Sequence, residues 1–302
     1  MKKFTFVLLI SFISFQLMAS VEEGDTSWKS KYEASLGFSQ TSFTNWSAGG
    51  ENATAINGML NIYKNYAKGK VSWGNYLGLA YGVNFQETEP KMRKTNDKIN
   101  FLTKGGIYAW KNWDYAGLFE FRSQFDKGYN YPNDVDYISK FMAPGYFQLS
   151  IGLNYKPVDY FAVFISPIGA RLTVVNDSSL TNTVDENGKL IGAFGVMGDN
   201  TTLWQVGGSL NVVFKKDVMK NVNLMSKLDL FSDYRHNPLN IIVGWENNLL
   251  MKVNKYISMN LTTMLIYDDN INYTDKEGFT HGPRTQFRET FTIGLSYTMT
   301  HN

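Results

Sequence analysis

The sequence predicts an all-β chain folded as a single transmembrane, antiparallel, up-and-down β-barrel of about 12 strands. Three observations predict it. Apolar and polar residues alternate with a period of two through most of the chain, short and long connections alternate from one end to the other, and aromatic residues gather beside the short ones. A period of two places successive side chains on opposite faces of a strand. A strand with lipid on one side and a polar lumen on the other needs that pattern over about ten residues.

The amino terminus comes first. Lys2 and Lys3 precede the apolar run FTFVLLISFISFQLM, which ends in MAS before an acidic VEEGD. A charged start, a short apolar core and a small residue at the cut make residues 1–20 a signal peptide. No cysteine follows, which excludes a lipoprotein anchor. Residues 21–30 are expected to form a short leading segment and residues 31–302 the barrel. No later stretch reaches the eighteen or so apolar residues of a spanning helix.

The strands then follow in order. Leu36 and Phe38 alternate with Ser35, Gly37 and Ser39. In VSWGNYLGLAYGVNF, Val71, Trp73, Leu77, Leu79, Tyr81, Val83 and Phe85 share one parity, and Gly, Ser, Ala and Asn take most of the other. Phe147, Leu149, Ile151, Leu153 and Tyr155 repeat the pattern, as do Ile257, Met259, Leu261, Leu265 and Tyr267. The closing strand reads FRETFTIGLSYTMT, with Phe291, Ile293, Leu295, Tyr297 and Met299 facing one way. Threonine fills the opposite face because it keeps β propensity while offering water a hydroxyl. Glu289 falls on the lipid parity, which requires a position at the rim or a bulge nearby.

Between strands, AKGK, KNWD, KPVD, KKDVMKN and VNKY are short and carry lysine. TNWSAGGEN, QETEPKMRKTND, the stretch from Asp126 to Gly145, the stretch from Asn176 to Asn200, RHNPLN and DDNINYTDKEGFTHGPRT are long and polar. Bacterial outer-membrane barrels pair tight periplasmic turns with long outer loops in this way. Tyr63, Tyr66, Trp73, Trp110, Trp113, Tyr115, Tyr155, Tyr160, Phe161 and Tyr256 flank the short turns, as an interfacial girdle would.

Strand phase turns a second set of residues inward. Its charged members are Glu120, Arg122, Lys227, Asp229, Asp233, Arg235, Glu246 and Arg288, with Glu33 and Lys252 also on that parity. Both signs occur, often two residues apart on one strand. Such a lining makes either a charge-selective, porin-like path for a small polar solute or a salt-bridged packing that stops water.

Composition limits the chemistry. The net charge of +2 creates no field that would draw nucleic acid. With no cysteine there is no disulfide, thiolate zinc site or cysteine nucleophile. A surface hydrolase would have to use His236 or His281, both in outer loops, and neither has a serine two residues away on its strand face. GxSxG and HExxH are absent. DDNINYTDKEG and NDVD carry the oxygen ligands calcium favours, but the first lacks the spacing of an EF-hand. No catalytic residue, cofactor or metal is therefore expected.

The ordered stretches NWSAGGENATAINGMLN, KTNDKINFLTKGGI, YPNDVDYISKFMAPGY, LDLFSDYRHNPLNI, WENNLLMKVNKYISMNLTTMLIYDD and GPRTQFRE resemble an uncharacterised outer-membrane family. It is widespread in Bacteroidetes and known only as a domain of unknown function. The resemblance covers most of the chain after residue 20 and implies a signal peptide, an outer-membrane barrel in a Gram-negative bacterium, and the lipid bilayer and barrel-insertion machinery as partners. It implies no activity or ligand. Chains of this kind end on an aromatic residue, whereas this one runs on through Thr298-Met299-Thr300-His301-Asn302, which leaves Tyr297 for that role.

Two expectations follow. The first is a barrel that passes or binds a small polar solute. The alternative is a closed structural barrel that engages a protein partner through the loops Asp126–Gly145 and Asn176–Asn200. An outer-membrane hydrolase comes third.

Overall fold

Twelve strands hydrogen-bond in a ring, each antiparallel to its neighbours. The computed structural model describes residues 27–41, 53–86, 91–131, 133–185, 187–254, 256–274 and 280–301. The signal-peptide stretch 1–20, residues 21–26 and the NWSAGGENA loop as far as Asn52 lie outside them.

The wall consists of β1 (Trp28–Thr41), β2 (Ala53–Lys68), β3 (Val71–Gln86), β4 (Arg93–Trp110), β5 (Trp113–Ser123), β8 (Gly145–Val158), β9 (Phe161–Val174), β10 (Thr202–Met219), β11 (Val222–Asp233), β12 (Ile241–Lys252), β13 (Ile257–Tyr267) and β16 (Gln286–His301). Chain neighbours pair in sequence, and β16 returns to β1, with Gly37 opposite Gly294. A Cβ on Gly294 would lie 2.3 Å from the Leu36 carbonyl oxygen, so the seam needs glycine there. Two small hairpins stand outside the wall: β6 (Gly128–Tyr129) with β7 (Tyr137–Ser139), and β14 (Asn272–Thr274) with β15 (Thr280–Pro283). The one described helix is a single turn, α1 (Ser178–Thr181).

The tight turns share one end of the ring. Gly69, Asn112 and Asn221 take left-handed backbone angles there, with φ of 58°, 62° and 64°. Glycine and asparagine bear that conformation at least cost, which explains their place in AKGK, KNWD and KKDVMKN. The long connections share the opposite end.

Side-chain burial is inverted relative to a soluble domain. Large apolar groups on the outer face are exposed, such as Ile151 at 67% and Leu295 at 62%, while Ser150 at 1%, Gln205 at 2% and Glu120 at 4% are buried inside. A water-soluble protein hides its large apolar residues and displays its charges. This wall does the reverse, and so meets the requirement for a surface solvated by hydrocarbon. Beside the tight turns, Trp110 stacks on Trp113 with ring centroids 5.9 Å apart, Trp113 meets Tyr155 at 4.7 Å and Trp28 meets Tyr66 at 5.1 Å. Tyr63 departs from the expected girdle. It turns into the lumen against Tyr76, 5.1 Å away. Glu289 sits opposite Thr263 in unbroken register, four residues into β16, so its outward charge is a rim position and no bulge is involved.

Two further differences come from strand phase. The polar stretch QETEPKMRKTND was expected to be loop, yet β4 begins at Arg93 and pairs with the end of β3. In β9 the register shifts where Pro167 interrupts the ladder. Proline has no N–H to donate, and a bulge is where a strand interior admits it. Ser166 Oγ lies 2.8 and 2.7 Å from the carbonyl oxygens of Ile151 and Ile168, so its one hydroxyl hydrogen can donate to either acceptor at the irregularity. Before the bulge Phe164 and Ser166 point inward; after it Gly169, Arg171 and Thr173 do. The extra residue flips the parity and carries Arg171 to the inside.

Candidate functional site

The lumen is crossed by ion pairs between strands that are not neighbours in the wall. Lys227 on β11 lies 3.0 Å from Glu120 on β5 and 3.0 Å from Asp229 on its own strand. Lys98 on β4 places its Nζ 2.8 Å from both carboxylate oxygens of Glu246 on β12. Only side chains projecting into the interior can join such strands. Lys104 adds a bond to Asn154 at 2.8 Å, and a small apolar cluster of Ala116, Leu118 and Phe164 packs beside it. The inner face therefore contains hydrocarbon as well as the polar residues that strand phase predicts.

Two cavities remain on either side of this packing. One, of about 80 Å³, is lined by Glu33, Asn61, Tyr63, Tyr76, Glu246 and Arg288 among others. The other, of about 200 Å³, lies toward the long loops and is lined by Arg122, Tyr146, Gln148, Arg171, Asn211, Asp229 and Asp268 together with the apolar Phe194, Phe231, Ile242, Ile266 and Ile271. Glu120 and Lys227 precede Arg122 and Asp229 by two positions each on β5 and β11, so the cross-lumen pair lies directly beneath the larger cavity. The aromatic ring of Tyr146 stands between two guanidinium groups, 5.6 Å from that of Arg122 and 5.0 Å from that of Arg171.

The long loops roof this cavity. Ala143, Val175, Leu180 and Val196 form a buried core between the loop after β5 and the loop after β9, with Tyr137, Ala193, Phe194 and Leu203 packed against it. Phe194 also reaches down to line the cavity. Asp177 ties the two loops together. Its carboxylate caps α1 through the Ser179 N–H at 2.9 Å and accepts from Tyr137 Oη at 2.8 Å and Lys140 Nζ at 2.6 Å. Burial alone would raise its pKa, but the bonds from Lys140, Ser179 and Tyr137 outweigh it and hold the group well below the usual carboxylate range. A depressed folded pKa contributes stability at any pH above the unfolded value of about 3.9, and that contribution disappears as pH falls through the folded value. Asp177→Asn at neutral pH should mimic the acid state. Trypsin cleavage after Lys140 should then accelerate about tenfold, since a charge-assisted bond holding a loop contributes about 1.5 kcal/mol. An unchanged cleavage rate would mean that the apolar core alone secures the roof.

The predicted inward residues divide into three groups. Glu120, Arg122, Lys227 and Asp229 come together at the floor of the larger cavity. Glu246 pairs with Lys98, and Arg288 reaches Asn96 across the ring at 3.4 Å, both beside the smaller cavity. Asp233 ends β11, buried, and accepts from Gln205 at 3.3 Å, while Arg235 is exposed in the loop beyond and is not brought to the others. Sequence reasoning missed Lys98, Arg171 and Asp268. Lys98 fell just past a stretch read as loop, Arg171 is reversed by the Pro167 bulge, and Asp268 lies past the end of β13.

His236 Nδ1 lies 2.8 Å from Asp233 Oδ2, a pair that could orient an imidazole, but no hydroxyl among the described residues is hydrogen-bonded to the ring. His281 stacks on Tyr273 at 6.0 Å. Among the described residues there is no group of three or more His, Asp or Glu placed to hold a metal ion. In NDVD, Asn133 Oδ1 instead accepts from the backbone N–H groups of Val135 and Asp136.

A family model described as "Protein of unknown function (DUF3078)" matches residues 38–129. No curated protein matches the chain. Among solved structures it is similar to the translocator domain of the autotransporter NalP from Neisseria meningitidis, at 10% identity and a TM-score of 0.36 over 91% of this chain and 90% of that one. It is also similar to an outer-membrane channel from Pseudomonas putida F1, at 8% identity and 0.39 over 94% and 98%. A third is outer-membrane phospholipase A from Escherichia coli, at 11% and 0.35 over 89% and 92%. At such values nothing of their activities transfers to this chain.

Proposed function

We propose that this chain is an outer-membrane barrel of a Gram-negative bacterium, exported by the signal peptide at residues 1–20 and placed in the bilayer by the barrel-insertion machinery, that binds a small polar solute rather than conducting it freely. Glu120, Arg122, Lys227, Asp229, Glu246 and Arg288 line its lumen. The observation that carries the reading is the pairing of Lys227 with Glu120 and of Lys98 with Glu246 across the interior, directly beneath a cavity roofed by loops. Paired charges of opposite sign brace a wall and leave no continuous field for an ion to follow. A cavity with charged groups set in an apolar lining, paired ions below and loops above, holds a molecule instead.

The exposed apolar wall supports the membrane location, and the loop end, carrying the roof, faces outward. The roof also favours a second reading in which the loops Asp126–Gly145 and Asn176–Asn200 dock a protein partner, because their shared core gives them a defined surface. Single-channel recording of the folded protein in a planar bilayer tests the leading reading. We expect no steady conductance from the native barrel. Regular ion-selective steps would make the lumen an open path and reverse the assignment.

A further inference from the structure

The larger cavity has an imbalance in its hydrogen bonding that points to the class of molecule it takes. Its two carboxylates are already satisfied. Asp229 accepts from Asn211 Nδ2 at 2.5 Å and from Lys227 at 3.0 Å. Asp268 accepts from Arg171 at 2.9 Å on one oxygen, and on the other from the backbone and side-chain nitrogens of Asn270 at 3.0 and 2.9 Å. The Arg171 guanidinium is not satisfied. Arg171 is 5% exposed, and its Nε–H has no hydrogen-bond partner among the described residues. Arg122, with 32% of its side chain exposed, stands 3.8 Å from Glu120 and against the Tyr146 ring, and adds positive charge to the same cavity. A buried donor left unpaired is costly, and a charged one more so. The arrangement is stable if an acceptor enters beside the Nε–H of Arg171.

One further atom narrows the class. Asn211 Oδ1, on a side chain 7% exposed, also has no partner among the described residues and lines the same cavity. It is an acceptor and calls for a donor on the ligand.

We infer that the cavity binds a small organic anion carrying a hydroxyl or ammonium group next to its carboxylate. The carboxylate meets Arg171, whose planar guanidinium offers donors matched to its oxygens, and Arg122 on the other side of the Tyr146 ring adds a second positive charge to the cavity. The neighbouring donor meets Asn211. The inference rests on the solute-binding reading above and adds the charge and shape of the solute.

Four probes of one carbon skeleton test it: lactate, propionate, 1,2-propanediol and propylammonium, each titrated against the folded full-length protein in detergent by ligand-observed NMR. Lactate should bind about tenfold more tightly than propionate, since one bond to an otherwise unpaired acceptor is worth about 1.4 kcal/mol. The diol and the ammonium compound should not bind. Arg171→Lys keeps a charge against Asp268 but removes the Nε–H, and should weaken both anions at least tenfold. Asn211→Ser should abolish the preference for lactate, bringing the ratio of the two affinities to about one. Circular dichroism establishes that each variant is folded. Unaltered lactate binding in R171K, or equal affinity for lactate and propionate in the native protein, overturns the inference. Binding of the diol or of propylammonium in place of the anions removes the anion assignment and leaves solute binding standing. If none of the four binds a folded barrel, the solute-binding reading falls and takes this one with it.

Discussion

Replacing Lys227 with Met should destabilise the folded barrel by about 3–5 kcal/mol, the range measured when one partner of a buried ion pair is removed. Glu120 is 4% exposed, and Lys227 is its only partner within hydrogen-bond distance among the described residues, since Arg122 is 3.8 Å away. Without the ammonium, a carboxylate is left in a confined interior with little water to hydrate it. Replacing both residues with apolar groups of similar volume should restore most of the loss, because the cost comes from the unpaired charge rather than from the absence of the pair. Urea unfolding of the protein reconstituted in vesicles, followed by circular dichroism, measures all three forms. A single variant within about 1 kcal/mol of the native protein would mean that Glu120 is hydrated, and a hydrated middle would not close the lumen.

Serine at all four of Lys98, Glu120, Lys227 and Glu246 should turn a silent barrel into a conducting one. Both members of each cross-lumen pair are removed together, Asp229 keeps its bond from Asn211, and the volume lost lies between the two cavities. Steps in a planar bilayer from the fourfold variant but not from the native protein are the expected result. Equal conductance from both would show that ions travel along another route, and the four side chains would then be wall braces without a gating role. Silence from a folded variant would move the closure to Leu118 and Phe164 or to the roof, where Phe194 is the next residue to shorten.

Predictions of this kind depend on contacts that no strand reveals by itself. The wall was legible because its information is local. A period of two at Phe147–Tyr155 or at Phe291–Met299 assigns a face to every residue of a strand without reference to its neighbours. The alternation of loop lengths adds the direction of each strand, and twelve antiparallel strands with polar inner faces can remove their edges by closing. Lysine-bearing turns with Gly69, Asn112 and Asn221 mark one end for an equally local reason, the backbone angles those residues tolerate. On the same basis Glu120, Arg122, Lys227, Asp229, Glu246 and Arg288 could be assigned to the inner face one strand at a time.

Which inner residues meet was settled only when the ring closed. Glu120 and Lys227 are 107 positions apart, and Lys98 and Glu246 are 148 apart. Their contact depends on the stagger of all the strands between them and on a diameter small enough for side chains to touch across it. Alternation does not encode stagger or diameter. The Pro167 bulge is the sharpest case. A strict period of two carried forward from Phe164 assigns Arg171 to the lipid, and a single inserted residue gives it to the cavity instead. The roof follows the same logic, since Asp177, Tyr137 and Lys140 belong to different loops and meet only because the strands beneath hold those loops side by side. Alternating hydrophobicity thus determined the barrel and the face of most wall residues, because each is a property of one strand and its turns. The ion pairs across the lumen, the cavity above them and the unpaired Nε–H of Arg171 were decided by closure, because each depends on distances between strands that the chain brings together only in three dimensions.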